Sequence, residues 1–305
     1  MKPIIMKSIE NVSAKYTDFF GGIITVTYKP APILSRYIKQ YNFFKSQNSS
    51  FTFFTPIPNG SLELLIHLGN NSLIIQNSSS TRYHSNFVVG LYELDCKAKV
   101  KPVSLENCYR GICIKFSYEG IRTLLGIRIS DSLNKAISMQ DLYGSKGLHL
   151  CNLLENEPDL VKRCNLMDWF FLDILSSKNL KNNKLSIINN YLQKTEGKIS
   201  VADLAEKSNM SYRSLHRCFK EEIGICPKEY LKIVRFNKVC SRLRLFPYIH
   251  FPDILYSSGY YDQAHFIHDF KSIMKLSPLE FLKKCKGNFY LTRPFVIEDT
   301  ELTKV

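Results

Sequence analysis

The chain has 305 residues, 45% of them hydrophobic and 22% charged, which is an ordinary composition for a folded protein with room for two cores. Its 41 basic and 27 acidic residues give a formal net charge of +14, which favours a polyanionic partner such as nucleic acid. Nine cysteines without a CxxC pair exclude a disulfide framework, and no run of about 18 apolar residues is present to predict a membrane-spanning helix.

Residues 22–116 predict a domain built mainly from strands. Short β-branched and aromatic runs, separated by turn residues, occur at 23–28, 51–54, 62–68, 73–76, 87–89, 98–100 and 109–116. The sequence Gly-Asn-Asn at 69–71 predicts a hairpin between two of these runs. Several strands without long intervening helices indicate an antiparallel sandwich or a small barrel.

The period becomes helical after residue 118. Residues 118–125, 148–154 and 158–177 predict three helices, and the apolar stripe on the last one favours a dimer face. The polar, Asn-rich stretch 178–184 predicts a linker. We therefore predict a sensing or dimerisation domain at 1–177, a linker at 178–184, a helical domain at 185–286 and a tail at 287–305.

The helical domain contains an internal repeat. Residues 215–232 align without a gap with residues 266–283, at an offset of 51. In both copies the apolar residues recur at the spacing of one buried helix face. A duplicated helical unit on a basic chain is typical of a protein that reads two neighbouring turns of DNA.

Each copy predicts two helices joined by a tight turn. In the first copy, Asn209 suits the left-handed turn, Ser211 suits the cap of the second helix, and Leu215 and Phe219 suit its buried face. In the second copy, Gly259 and Asp262 take the turn and the cap, Phe266 and Phe270 take the buried face, and the turn carries one extra residue. Helix, tight turn and second helix with a polar basic face make a helix-turn-helix.

The helix predicted between the copies sets their separation. It begins at Pro227 and extends to about residue 246, and about 20 residues at 1.5 Å each span about 30 Å. A spacer of this length can hold two recognition helices about one turn of B-DNA apart. Residues 181–290 carry 19 basic and 10 acidic side chains, so the positive charge is densest on this domain.

These features resemble the AraC/XylS family of bacterial transcription regulators over about residues 184–286. The resemblance rests on Leu204-Ala205, Ser211, residues 215–219, Gly224, Pro227, Tyr230, Arg235-Phe236, Gly259-Tyr260, Asp262-Gln263, His265-Phe266, Phe270-Lys271, Ser277-Pro278 and Phe281. Residues 20–157 resemble, more weakly, the cupin-like sensing domain that precedes such motifs, through 58–64 and 115–120. The implied fold is a β-rich cupin-like barrel or sandwich with helices, followed by an all-α double helix-turn-helix domain.

The resemblance implies a DNA-binding surface on both second helices. By position it comprises Ser211, Tyr212, Arg213, His216, Arg217, Lys220, Tyr261, Gln263, Ile267, His268 and Lys271. Arg213 or Arg217 can form a bidentate pair with guanine, and Gln263 can do so with adenine. We expect the first motif to supply most base specificity and the second mainly to anchor the protein.

Three residues depart from the family pattern. Asp269 stands where a cation or small residue is usual, and repels phosphate if it faces DNA. Leu255 replaces a small residue that lets helices cross closely, and Cys226 replaces a hydroxyl cap.

The resemblance further implies promoter DNA and RNA polymerase as partners. The charged N-terminal segment and the absence of a long apolar run predict a cytoplasmic, nucleoid-associated protein, and the apolar stripe of 158–177 predicts a homodimer. A small-molecule effector in the first domain and a purely structural first domain both stay open.

Two other classes of function compete with a DNA-binding regulator. A cupin-type enzyme needs clustered metal ligands, but His67, His84 and His149 are widely separated, so we predict no catalytic residues, metal or cofactor. An adaptor that binds polymerase without reading DNA does not need the basic double motif.

Overall fold

A computed structural model describes residues 12–17, 23–46, 53–54, 62–68, 73–76, 81–84, 86–89, 99–102, 110–132, 136–178, 184–245, 251–278, 280 and 289–290. The strands are β1 (Val12–Thr17), β2 (Ile23–Tyr28), β3 (Ile38–Ser46), β4 (Phe53–Phe54), β5 (Glu63–Leu68), β6 (Leu73–Gln76), β7 (Thr81–His84), β8 (Asn86–Val89), β9 (Lys99–Pro102), β10 (Arg110–Phe116), β11 (Ala136–Ser138) and β12 (Phe289–Tyr290). The helices are α1 (Tyr118–Gly120), α2 (Met139–Asn156), α3 (Leu160–Ser176), α4 (Lys184–Thr195), α5 (Val201–Lys207), α6 (Tyr212–Glu222), α7 (Pro227–Leu245), α8 (Phe251–Ser257) and α9 (Gln263–Met274).

A seven-stranded antiparallel sheet forms the centre of the first domain. Its strand order is β1-β2-β3-β10-β5-β8-β11, so β10 lies between β3 and β5. Alternate residues of β10 point to one face, where Ile112, Ile114 and Phe116 are fully buried. Phe116 makes an edge-to-face contact with Phe171 of α3, with ring centroids 5.6 Å apart. The apolar face of the sheet is therefore covered by helix α3.

The opposite face of the same sheet carries polar side chains. The Thr27 hydroxyl donates to Asn42 Oδ1 at 2.9 Å, and the Cys113 thiol donates to Glu63 Oε2 at 3.3 Å. Lys115 Nζ lies 3.5 Å from Glu63 Oε1. These contacts join β2, β3, β10 and β5 across the sheet.

The predicted hairpin at 69–71 is wrong. Strand β5, before this segment, pairs with β10 and β8, whereas β6, after it, pairs with β7 and β9 in a second sheet. The second sheet has the order β12-β4-β9-β6-β7. A Gly-Asn-Asn segment permits a reversal of the chain but does not select the strand that pairs next. The turn itself lies outside the described residues.

Helix α3 is fixed to the first domain by its buried face. Cys164, Met167 and Phe171 are fully buried. Between them, the Asp168 carboxylate accepts hydrogen bonds from the Tyr41 hydroxyl at 2.7 Å and from the Ala31 amide at 3.1 Å. Burial raises the pKa of Asp168, while these two hydrogen bonds act to lower it.

The apolar stripe that suggests a dimer face is thus largely used inside the domain. On the outer surface of α3, Val161 is 36% exposed and Trp169 is 61% exposed.

Helices α4 to α9 form the second domain, and its buried side chains are continuous with the core of the first domain. Helix α7 runs through its middle and contacts α6, α8 and α9. Its 19 residues correspond to about 28 Å of helix. Of the helices in the described part of the chain, none has the length and apolar character needed to cross a membrane.

Candidate nucleic-acid interface

The first helix-turn-helix comprises α5, the four-residue turn 208–211 and α6. Ser200 caps α5 by accepting a hydrogen bond from the Asp203 amide at 3.0 Å. Asn209 adopts a left-handed conformation with φ 55°, and the Met210 amide then donates to the Ala205 carbonyl at 2.9 Å, which closes the end of α5. Ser211 caps α6 through the Ser214 amide at 3.1 Å. The predicted caps and turn are confirmed.

The second helix-turn-helix repeats this geometry in α8 and α9. Gly259 has φ 85°, and the Tyr260 amide donates to the Leu255 carbonyl at 3.0 Å. Asp262 caps α9 by accepting from the His265 amide at 2.7 Å. The predicted extra residue is Tyr261, whose side chain is 83% exposed.

Aromatic side chains attach both second helices to α7. Leu215 and Phe219 of α6 are fully buried, as are Phe266 and Phe270 of α9. Phe219 contacts Tyr230 near the start of α7, with centroids 5.6 Å apart. The rings of Phe266 and Phe270 lie 6.4 Å and 5.4 Å from that of Phe236, further along α7. Each second helix therefore packs on its own segment of one connecting helix.

The residues predicted to face DNA from α6 lie mostly in solvent. Tyr212, Arg213, Arg217 and Lys220 are exposed, and the Ser211 hydroxyl is used as the cap. His216 is half-buried; its ring lies 4.6 Å from that of Tyr212, and its Nε2 is buried with no hydrogen-bond partner.

The residues predicted to face DNA from α9 are more constrained. His268, at 79% exposure of its side chain, and Lys271 are exposed, as is Tyr261 before the helix. Gln263 and Ile267 are half-buried. The Gln263 amide nitrogen is buried with no hydrogen-bond partner, so a bidentate contact with adenine requires this side chain to rotate outward.

Asp269 does not face outward. It is 3% exposed and points toward α7, where Lys232 Nζ lies 3.4 Å from Oδ1 and Arg235 Nη2 lies 3.8 Å from Oδ2. The phosphate repulsion that an outward-facing carboxylate would cause does not arise in this orientation. Asp269, which departs from the family pattern, therefore forms ion pairs with Lys232 and Arg235 inside the domain.

A second departure, Cys226, keeps half of a capping box at the start of α7. The Cys226 amide donates to Glu229 Oε2 at 3.1 Å. At the equivalent place after α9, Ser277 and Glu280 make both reciprocal bonds, at 2.7 Å and 3.2 Å. Burial raises the pKa of Glu229, but the hydrogen bond from Cys226 and the charges of Lys220 and Lys232 outweigh it and hold that pKa below its ordinary value.

The C-terminal end of α6 contacts the first domain, which the sequence did not reveal. Arg122 Nε lies 3.1 Å from Glu222 Oε2, and Arg128 Nε lies 3.9 Å from Glu222 Oε1. The Ser130 hydroxyl donates to the Glu221 carbonyl at 2.7 Å. These three side chains come from the segment after β10, about 90 to 100 residues before their partners Glu221 and Glu222, and carry no periodic signal that could have identified them.

A metal-binding arrangement is not evident in the described ranges. Among those residues, no group of three His, Cys, Asp or Glu side chains is placed to hold a metal ion.

Comparison with known proteins identifies the helical domain. Residues 204–284 match the family model described as a helix-turn-helix domain, which is of the AraC type. The resemblance found in the sequence is therefore confirmed for this segment.

Individual relatives are distant. A protein from Haemophilus influenzae described as an uncharacterized HTH-type transcriptional regulator is 29% identical over 119 residues. The match covers 39% of this chain and 38% of that relative, so the chain spans about two-fifths of the relative's length. ToxT from Vibrio cholerae superposes with a TM-score of 0.48 at 15% identity, over 80% of this chain and 97% of ToxT. The C-terminal domain of AraT, a response regulator from Geobacillus stearothermophilus, gives a TM-score of 0.31 at 24% identity, over 39% of this chain and 93% of that domain.

Proposed function

We propose that this chain, whose residues 204–284 form an AraC-type helix-turn-helix domain, is a transcription regulator that reads two adjacent major grooves of promoter DNA. The observation that supports this most directly is the duplication of the capped turn. Both motifs present a second helix whose apolar face packs on α7 and whose opposite face carries exposed basic side chains, Arg213, Arg217 and Lys220 on α6 and Lys271 on α9.

In this proposal the exposed face of α6 mainly reads bases, and the exposed face of α9 mainly anchors the protein on phosphates. Arginine side chains provide paired donors for guanine O6 and N7, and exposed cations neutralise phosphates. The predicted interface comprises residues on or just before the two second helices: Ser211, Tyr212, Arg213, His216, Arg217 and Lys220 for α6, and Tyr261, Gln263, Ile267, His268 and Lys271 for α9.

The experiment that tests the proposal is selection of duplexes from a random pool by the full chain, followed by titration across salt concentrations. We expect enrichment of a sequence with two half-sites about 10 base pairs apart. Affinity should fall steeply with salt, since each neutralised phosphate releases counterions. Failure to enrich any sequence, or to shift promoter DNA at low salt, contradicts the proposal and favours an adaptor that binds RNA polymerase without reading DNA.

Promoter binding implies a cytoplasmic protein that acts on RNA polymerase, most simply as an activator. Mapping the sites occupied in cells by immunoprecipitation, with transcript levels in a deletion strain, tests both statements. Transcripts that rise on deletion would identify a repressor instead.

A small-molecule effector is the role that we propose for the first domain. The polar face formed by Thr27, Asn42, Glu63, Cys113 and Lys115 supports this, because a purely structural sheet has no need of so many half-buried or buried polar groups. Thermal unfolding of the full chain against a panel of small polar metabolites tests it. A ligand that binds only the folded state raises the midpoint, whereas no response across the panel favours a ligand-independent regulator.

We also propose a homodimer through the outer face of α3. The exposed Trp169 supports this, since aromatic side chains are enriched at protein–protein interfaces. Light scattering at micromolar concentration should give twice the chain mass for the wild type and a monomer for Trp169→Ser. A monomeric wild type would contradict this part of the proposal.

A further inference from the structure

Arg235, near the middle of α7, contacts the loop that leads into the first helix-turn-helix motif and, on its other side, the second motif. Its Nη1 donates to the Gly197 carbonyl, in the loop before α5, at 3.3 Å. Its guanidinium carbon lies 5.9 Å from the ring centroid of Tyr260, in the turn before α9, and its Nη2 lies 3.8 Å from Asp269 Oδ2. One side chain of the connecting helix therefore touches the entry to the first motif and two elements of the second.

The partner carboxylate is buried and paired with cations of α7. The side chain of Asp269 is 4% exposed, and a buried carboxylate is tolerated only when nearby cations compensate for its loss of hydration. Lys232 Nζ lies 3.4 Å from Oδ1 and also donates to the Ser272 hydroxyl at 3.2 Å. Lys232 and Arg235 thus fix two successive turns of α9 to α7.

The loop before α5 and the turn of the second motif both close tightly around Arg235. A Cβ at Gly197 would lie 3.2 Å from Arg235 Cγ, and a Cβ at Gly259 would lie 3.3 Å from Arg235 Cδ. Both glycines have positive φ, 80° and 85°. The side chain of Arg235 is consequently enclosed from both sides, and its position constrains both the loop before α5 and the turn of the second motif.

The same carboxylate lies behind the outer face of α9. His265 Nε2 is 3.8 Å from Oδ2, and His268 Nδ1 is 3.7 Å from Oδ1. His268 belongs to the predicted DNA-contacting surface. A change at Asp269 therefore acts on the orientation of that surface without removing a side chain from it.

From these contacts we infer that Arg235 and Asp269 are positioning residues that fix the angle between the two recognition helices, and thereby set the half-site spacing that the protein accepts. The inference rests on the proposed function. Neither side chain needs to touch DNA: Arg235 holds the second motif against the connecting helix, and Asp269 holds α9 at a defined rotation.

The experiment compares two duplexes with the full chain. The first is the best sequence selected by the wild type from a random pool; the second has 2 base pairs inserted between its half-sites, which rotates one half-site by about 70°. A third duplex carries the first half-site alone. The variants are Asp269→Asn and Arg235→Lys, and the control is Glu206→Gln, which removes one negative charge from an exposed position of α5. Circular dichroism verifies the helix content of each.

We expect the insertion to weaken wild-type binding about 100-fold, since the rigid pair of helices cannot follow the rotated groove. In Asp269→Asn the same insertion should weaken binding less than about tenfold, because coupling between contacting residues is removed. Binding to the isolated half-site should stay within about twofold of wild type. Arg235→Lys keeps the charge and most of the volume, so it should fold and show the same reduced spacing preference if Asp269→Asn does not fold.

Two outcomes overturn the inference. One is an unchanged ratio between the two duplexes in both variants. The other is an equal change of this ratio in Glu206→Gln, which would assign it to net charge. A wild type that selects no sequence contradicts the proposed function itself, whereas selection of a sequence without a spacing preference contradicts only the role of the pair.

Discussion

Arg213 and Arg217 extend into solvent from α6, whereas polar groups on α9 are held by their neighbours. The amide nitrogen of Gln263 is buried, and the imidazole of His268 lies close to Asp269. Free guanidinium groups can align both donors with a guanine edge. This difference between single residues supports a division in which the first helix reads bases and the second anchors.

Substitution of Arg213 tests that division. Arg213→Ala should weaken binding to the preferred duplex by about 1–3 kcal/mol and relax selectivity at one base position. His268→Ala should weaken binding less and more uniformly across sequences. Equilibrium titration of single-base operator variants measures both. A larger loss of selectivity from His268→Ala would reverse the assignment.

Glu229 gives the DNA-binding domain a defined response to acid. Its pKa is held below the ordinary value, so the ionised form stabilises the folded state above the unfolded pKa, near 4.3, and this stabilisation is lost as the pH falls through the folded pKa. Glu229→Gln should therefore lower the free energy of unfolding at pH 7 by about 0.3–1 kcal/mol, the usual effect of a negative charge at a helix N-terminus. Urea unfolding of both proteins should show the difference shrinking in acid. A difference that persists unchanged below the folded pKa would contradict this cause, and Glu206→Gln serves as the exposed control.

At the scale of elements, the two turns reach the same geometry from different residues. Asn209 and Gly259 both have positive φ, and both are followed by a hydrogen bond back to the preceding helix. The second turn is longer by Tyr261. The residue with positive φ in each turn therefore meets the same backbone requirement, although the two turns differ in length.

Substitutions at these two positions should differ in their effect on the thermal midpoint. Gly259→Ala places a Cβ 2.8 Å from Lys198 Cγ in a left-handed conformation, which costs about 1–2 kcal/mol, and should lower the thermal midpoint by about 5 °C. Asn209→Gly relieves the same backbone conformation and should change the midpoint little. Differential scanning calorimetry compares them. Equal losses in both variants would indicate that the turn conformation is not the cause.

The helical domain was predictable because its signals are local and occur twice. Within each copy, the cap, the left-handed turn residue and the buried positions lie within about ten residues of one another; Phe219 is such a buried position in the first copy and Phe270 in the second. The first domain was predicted only in class. The pairing of β5 with β10 joins residues about 45 positions apart, and a turn signal at 69–71 gives no information on such a partner. The inward orientation of Asp269 was also unpredictable, because it depends on Lys232 and Arg235 of another helix.

For the whole molecule, Glu222 takes part in one of the contacts between the domains, and helix α1 makes another with α4. Two arginines of the first domain approach its carboxylate, and Tyr118 lies buried beside it, where burial first, and the nearby Tyr230 and Glu222 next, raise the pKa of the tyrosine. The first recognition helix is thus attached to the first domain at its C-terminal end.

Charge reversal at Glu222 should separate this contact. In Glu222→Lys, the new cation repels Arg122 and Arg128, and amide hydrogen exchange in 121–132 and 219–226 should accelerate about tenfold, as expected for local opening. Glu221→Lys is the matched control, because its exposed side chain makes the same charge change while only its backbone carbonyl meets Ser130. Similar acceleration in both variants would mean that the ion pairs do not hold the interface.

The hydrogen bond from the Ser130 hydroxyl to α6 predicts how an isolated C-terminal fragment would differ from the full chain. The last carbonyls of a helix need hydrogen-bond donors from outside the helix. Helix α6 obtains one such donor, the Ser130 hydroxyl, from the first domain. A C-terminal fragment lacking residues 1–177 would lose that donor together with both arginines, so the final turn of its first recognition helix should fray. Affinities measured on such a fragment would then underestimate the first groove contact relative to the second.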